Sequence, residues 1–131
     1  MIMIHSFTVA GDKPIDLNDV AIQLRKQIDK LPPDTPQLAA KILSSQAGVK
    51  QVLVLVRGHE LPHTHPNSDL VISVLNGNGY VQLSQGKVSM AAGGIIVIPK
   101  GVCHAYHNIS KEDSLLFATF SPVDSTPGEC Q

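Results

Sequence analysis

At 131 residues the chain is long enough for one domain with a substantial core and too short for two ordinary ones. A hydrophobic fraction of 43% against 16% charged residues suits a compact fold and argues against a disordered chain. The formal net charge of -1, with no dense Lys/Arg cluster, provides no general field for phosphate backbones or acidic membranes, so neither nucleic acid nor membrane is expected as a partner.

In chain order, Met1-Ile2-Met3-Ile4-His5 lacks a basic region ahead of an apolar core and is not read as a signal peptide. With no apolar run of membrane-spanning length either, the expected location is cytoplasmic. Phe7-Thr8-Val9 reads as a short strand before a Gly11-Asp12-Lys13-Pro14 turn. From Asp16 to Leu31 the apolar residues Leu17, Val20, Ala21, Leu24, Ile28 and Leu31 recur at helical spacing and define one face of an amphipathic helix. Asp16 and Asp19 suit its positive N-terminal end, Lys26 and Lys30 its C-terminal end, and Pro32-Pro33 stops it. Its charged face is read as solvated, and its apolar face as packed on the outside or end of a sheet.

After Pro36 the pattern becomes one of strands and turns. Strands are predicted over Ala39–Ser44, Val49–Val56, Leu70–Leu75, Tyr80–Leu83, Val88–Ala91, Ile95–Ile98, Cys103–His107 and Leu115–Phe120. Gln46-Ala47-Gly48, Asn76-Gly77-Asn78-Gly79, Gln85-Gly86-Lys87, Gly93-Gly94, Lys100-Gly101 and Ser110-Lys111-Glu112-Asp113 separate them. Val52-Leu53-Val54-Leu55-Val56 is apolar throughout, which predicts burial on both faces. Many short strands at this spacing mean a sandwich or barrel. The expected division is an extension over 1–36, a barrel over 37–122 and a loose polar tail over 123–131. Cys103 and Cys130 could form one bridge, but with Cys130 at the C-terminal end beside Pro127 and Gly128 they are read as two free thiols in a reducing compartment, Cys103 as a small buried hydrophobe.

Residues two apart in a strand share a side, so His63 and His65 project together while Thr64 points away. Imidazole is the commonest ligand for divalent first-row metals, and two rings on one strand supply half of a four-ligand set. Downstream, Gly93, Pro99, Gly101, His104 and Asn108 fall at the spacing Gly, five residues, Pro, one residue, Gly, two residues, His, three residues, Asn. Gly58, His63, His65 and Gly77 supply the matching upstream piece. In these two motifs the chain resembles the cupin family, over about Val52 to Phe120, with the helix outside the resemblance.

That resemblance implies an all-β double-stranded β-helix (jelly-roll) barrel with an N-terminal α-helix, in which His63, His65 and His104 converge in one mouth. It also implies one divalent transition metal (Fe, Mn, Ni, Zn or Cu), a small-molecule ligand or substrate, and a homodimer. Where the family has Glu, this chain has Asp69, followed by one residue more than usual before Gly77. Asp69 is therefore carried as a metal ligand, with a hydrogen bond to a ligand histidine or a plain turn role as alternatives. Tyr106 shares the face of His104, which makes it a candidate orienting donor or acid, the alternative being a core tyrosine. His107, on the opposite face, is read as a packing residue, and Asn108 as tying down a turn. His5 and His59 carry no spacing argument. The implied activity is metal-dependent oxidation of a small organic molecule by dioxygen, then isomerisation or decarboxylation, with a non-catalytic ligand-binding or sensing module as the competing class.

Overall fold

The computed structural model of the chain describes residues 13–131. The strand expected at Phe7-Thr8-Val9 lies outside the described residues, as do His5, Gly11 and Asp12. Helix α1 (Leu17–Asp29) begins where the acidic cap predicts, the Asp16 side chain accepting the Asn18 N–H at 2.9 Å. Its buried face is Val20, Ala21, Leu24 and Ile28.

Eight strands follow: β1 (Leu38–Gln46), β2 (Val49–Val56), β3 (Asp69–Asn76), β4 (Asn78–Leu83), β5 (Gly86–Ala91), β6 (Ile95–Ile98), β7 (His104–Asn108) and β8 (Ser114–Ser121). They form two antiparallel sheets, ordered β1-β2-β8-β3-β6 and β5-β4-β7, the jelly-roll arrangement expected. Alternation sets which side chains enter. Leu70, Ile72 and Val74 of β3 and Leu116, Ala118 and Phe120 of β8 point into the barrel. Val52 and Val56 of β2 join them, whereas Leu53 and Leu55 face outward beneath Val20, Leu24 and Ile28 of α1. The uninterrupted apolar run in β2 thus lies between two cores, which is why it cannot alternate with polar residues.

Arg57, just past β2, joins these layers. Its guanidinium makes two hydrogen bonds to Asp113, at 2.9 and 3.1 Å, and a third to Asp29 at the end of α1, at 2.9 Å. The Asp113 side chain is only 7% exposed, so removing its partner would strand a charge. Arg57→Ala is expected to lower unfolding free energy by about 2 kcal/mol, measured by urea denaturation. Arg57→Lys should recover only part of that, because an ammonium cannot reproduce the two-pronged contact.

Two expectations about the C-terminal segment are corrected. It is not loose: Thr64 and Gly128 exchange both backbone hydrogen bonds at 2.9 Å, Lys50 Nζ donates to Ser125 Oγ at 2.7 Å, and Asn67 donates to Asp124 at 2.9 Å. Nor are the cysteines free, for Cys103 and Cys130 are joined as a disulfide. Both results have one cause. Segment 59–64 lies along the free edge of β7, through bridges His59 to His107 and His63 to His104, and leaves its own outer edge for the tail to cover. No helix among the described residues is long and apolar enough to cross a membrane.

Candidate metal centre

The bridge between His63 and His104 brings the two motifs together, with amide-to-carbonyl distances of 3.1 and 3.0 Å in the two directions. His65 is fixed from the other side, its carbonyl accepting the Gly101 N–H at 3.1 Å. Gly101 adopts φ +76°, a conformation that disfavours side chains, and this turn returns the chain to β7 beside His65. The result is a cluster of three imidazoles with ring centroids 4.4, 4.8 and 5.3 Å apart. One ring nitrogen from each lies within 4.8 Å of the others.

The hydrogen bonds settle which nitrogen is free. His63 Nδ1 lies 2.7 Å from the Leu61 carbonyl, His65 Nδ1 2.9 Å from the Ser125 carbonyl, and His104 Nδ1 3.0 Å from the Val102 carbonyl. A carbonyl only accepts, so each Nδ1 carries the proton and each Nε2 keeps a bare lone pair. Burial favours the neutral ring at His104 and His65. His104 is 1% exposed, and desolvation lowers its pKa to about 4, aided by His63 and His65 and opposed by the Val102 hydrogen bond. Desolvation also lowers His65, against the pull of its bond to Ser125, and Phe120 walls its ring edge-on at 4.8 Å. Three imidazoles, each with Nδ1 on a carbonyl and one ring nitrogen within 4.8 Å of the others, fit a divalent transition metal.

Asp69 does not join them. It is exposed, and its Oδ1 accepts the Lys100 N–H at 3.0 Å, closing the turn between the sheets. Leu70 points inward, so Asp69 points out. The bulge that absorbs the extra residue before Gly77 falls between Val74 and Asn76, too far along β3 to rotate Asp69 inward. Tyr106 is also placed otherwise than as an acid: wholly buried, it donates its hydroxyl to Ser114 Oγ at 2.8 Å, and Ser114 donates to Asn108 Oδ1 at 2.6 Å. It is the core tyrosine of the alternative reading. Asn108 ties down the turn, its amide nitrogen reaching the carbonyls of Arg57 and Glu112. His107 packs between His59 and Tyr80 in a parallel stack, at 4.9 and 4.7 Å.

Residues 51–120, more than half the chain, match the cupin domain family. The chain belongs to the cupin family. An uncharacterized protein of Aquifex aeolicus is 40% identical to this cupin over 80 residues, which span 61% of the chain and 65% of that relative. The match thus takes in just under two thirds of the relative's length. Among solved structures, KdgF from Halomonas sp. superposes on the cupin with a TM-score of 0.62 at 28% identity, covering 70% of this chain and 85% of that one. Oxalate oxidase in complex with the substrate analogue glycolate gives 0.64 at 23% identity, covering 74% and 57%, a likeness of fold.

Glu60 is a site residue that strand periodicity conceals. Its Oε1 accepts the Tyr106 N–H at 2.9 Å and its own N–H donates to the Tyr106 carbonyl at 2.9 Å. Burial pushes its carboxyl up, while the Tyr106 hydrogen bond and nearby His63 pull it down. Glu60 and His63 share a cavity of about 390 Å³ with Pro36, Leu38 and Leu61. They are three positions apart, which would put them on opposite faces of a regular strand. Leu61-Pro62 breaks the alternation, because proline cannot continue the ladder. A larger cavity of about 630 Å³ lies against Thr64 and Cys103 and touches none of the three histidines.

Proposed function

We propose that His63, His65 and His104 hold one divalent transition metal (Fe, Mn, Ni, Zn or Cu), and that the protein performs metal-dependent chemistry on a small organic molecule, oxidation by dioxygen first. The observation that carries this reading is the set of three Nε2 lone pairs, each fixed by a carbonyl on Nδ1, with Asp69 turned away. A three-histidine set leaves coordination positions for water, substrate or oxygen. Bound there, such a metal supplies Lewis acidity and, for Fe, Mn or Cu, a redox centre.

The chain's own residues supply the rest. Leu38, Leu61 and Pro36 give the shallow, open depression beside His63 an apolar lining on which an organic group can pack. Glu60, raised by burial and open to that cavity, is the group placed to accept or return a proton. The outer face of β6, with Ile95 65% and Val97 62% exposed, supports assembly as a homodimer.

Elemental analysis tests the metal reading. About one metal per chain is expected in native protein, with a loss in affinity of more than about a hundredfold after His63→Ala or His104→Ala. Asp69→Ala should leave metal content unchanged. Unaltered content in both histidine variants would overturn the site.

A further inference from the structure

We propose that the C-terminal segment is a positioning element of the triad, and that the Cys103–Cys130 disulfide is a thiol–disulfide exchange site that sets whether it is in place. The inference rests on the metal reading above and concerns what holds that site.

Of the three carbonyls that fix the imidazole protons, two are local, from Leu61 and Val102, each two residues before its histidine. The third is not. Ser125 lies 60 residues from His65 and reaches it only because the tail folds back across the barrel. Three residues further on, Gly128 pairs with Thr64, the residue between the two ligands. Two residues beyond that, Cys130 is bonded to Cys103, the neighbour of the third ligand. The tail therefore touches the surroundings of His65 and His104 through one continuous stretch, anchored covalently at its end. Its side chains add two contacts to the barrel, from Lys50 to Ser125 and from Asn67 to Asp124, while Thr126, Pro127, Glu129 and Gln131 are exposed. Without the bridge, a few hydrogen bonds at the surface would have to order the whole segment against its conformational entropy.

The bridge is placed for exchange. Cys103 lines the cavity of about 630 Å³ together with Gly128, Glu129 and Gln131, and exposed Pro66, Ser84 and Gln85 border it. A small dithiol entering there attacks one bridge sulfur as its thiolate, and the S–S bond breaks as a mixed disulfide forms. Its second thiol then resolves that intermediate. Two electrons and two protons pass to the protein, leaving thiols at Cys103 and Cys130, and the reagent leaves as its own disulfide. Once the tail is released, His65 Nδ1–H loses its acceptor. The ring is then free to turn and to move its proton to Nε2, the ligand nitrogen.

The test compares Co(II) affinity, by titration against a competing chelator, in oxidised protein, in protein reduced with dithiothreitol and freed of it anaerobically, and in the double variant Cys103→Ser, Cys130→Ser. The double variant has no thiol with which to bind the probe itself. Affinity should fall about tenfold in the reduced protein and in the double variant, and recover only in the wild type on reoxidation. In metal-free protein, hydrogen exchange at Thr64 and across residues 122–131 should quicken in parallel, while the barrel strands stay protected. Equal affinity with the bridge open and closed, unchanged exchange in the tail, or two thiols titratable before reduction would each overturn the proposal. Failure of oxidised wild type to bind Co(II) at all would overturn the metal reading beneath it, a result distinct from equal binding in both states.

Discussion

Gly79→Ala is expected to yield no stably folded protein. A Cβ at position 79 would run into the His107 carbonyl oxygen, and would lie 2.7 and 2.8 Å from the hydroxyl oxygen and Cζ of Tyr106. None of these can yield cheaply. The His107 oxygen belongs to the backbone of β7, and β4 is held between β5 and β7, Gly79 facing Met90 on one side and Asn108 on the other. The Tyr106 ring is fully buried with its hydroxyl committed to Ser114. Overpacking a core typically costs about 1–3 kcal/mol where side chains can adjust, and more where the backbone itself must move. A loss of at least about 4 kcal/mol is expected, a large share of the stability of a domain this size. The measurement is the cooperative urea transition, with Gly58→Ala as the control, because a Cβ there meets Gln37 Cβ at an ordinary 3.5 Å. A Gly79→Ala transition within about 1 kcal/mol of wild type would show that the space beside Tyr106 is not needed.

That glycine also marks where the sequence stops being legible. Asn76-Gly77-Asn78-Gly79 reads as a turn, and Gly77 does make one at φ +85°, but Gly79 lies inside β4 for want of room for a side chain. Strand existence was readable from alternation and from the turn residues between runs, and the helix from its apolar spacing and its Asp16 cap. The sandwiched β2 declared itself by having no polar face. The three histidines were readable for a related reason: each is set by local chain geometry, the two-residue period for His63 and His65 and the Pro99-Lys100-Gly101 bend for His104. Asp69 could not be placed, because its face depends on where along β3 the extra residue is absorbed, and several positions were open. Glu60 escaped because proline interrupts the alternation beside it. The tail escaped for a deeper reason: Ser125 and Gly128 act through backbone atoms, which every residue possesses and no residue type announces. With the tail's course unknown, nothing could bring Cys130 to Cys103.

Metal-free protein is expected to lose stability as pH falls from about 6.5 toward about 4, chiefly through His104. In the unfolded chain its imidazole takes a proton near 6.5, whereas in the barrel desolvation delays this to about 4. Between those values the unfolded state binds more protons, so stability rises with pH and is lost on acidification. The full difference amounts to about 3 kcal/mol. His65, lowered for the same reason, adds to the slope with the same sign. Glu60 works against both: its carboxyl is raised above 4.5 in the folded protein, so above that value the folded state binds more of the proton and stability falls as pH rises. The groups separate by substitution. His104→Gln should flatten the profile between pH 4 and 6.5, while Glu60→Gln should steepen it above pH 4.5 by removing the opposing group. Urea transitions measured at half-unit steps, in the presence of a chelator, read both slopes. A wild-type profile unchanged by His104→Gln would mean that the imidazole is solvated and protonates freely. Bound metal should make the acid loss steeper, since protons and metal then compete for the same three nitrogens.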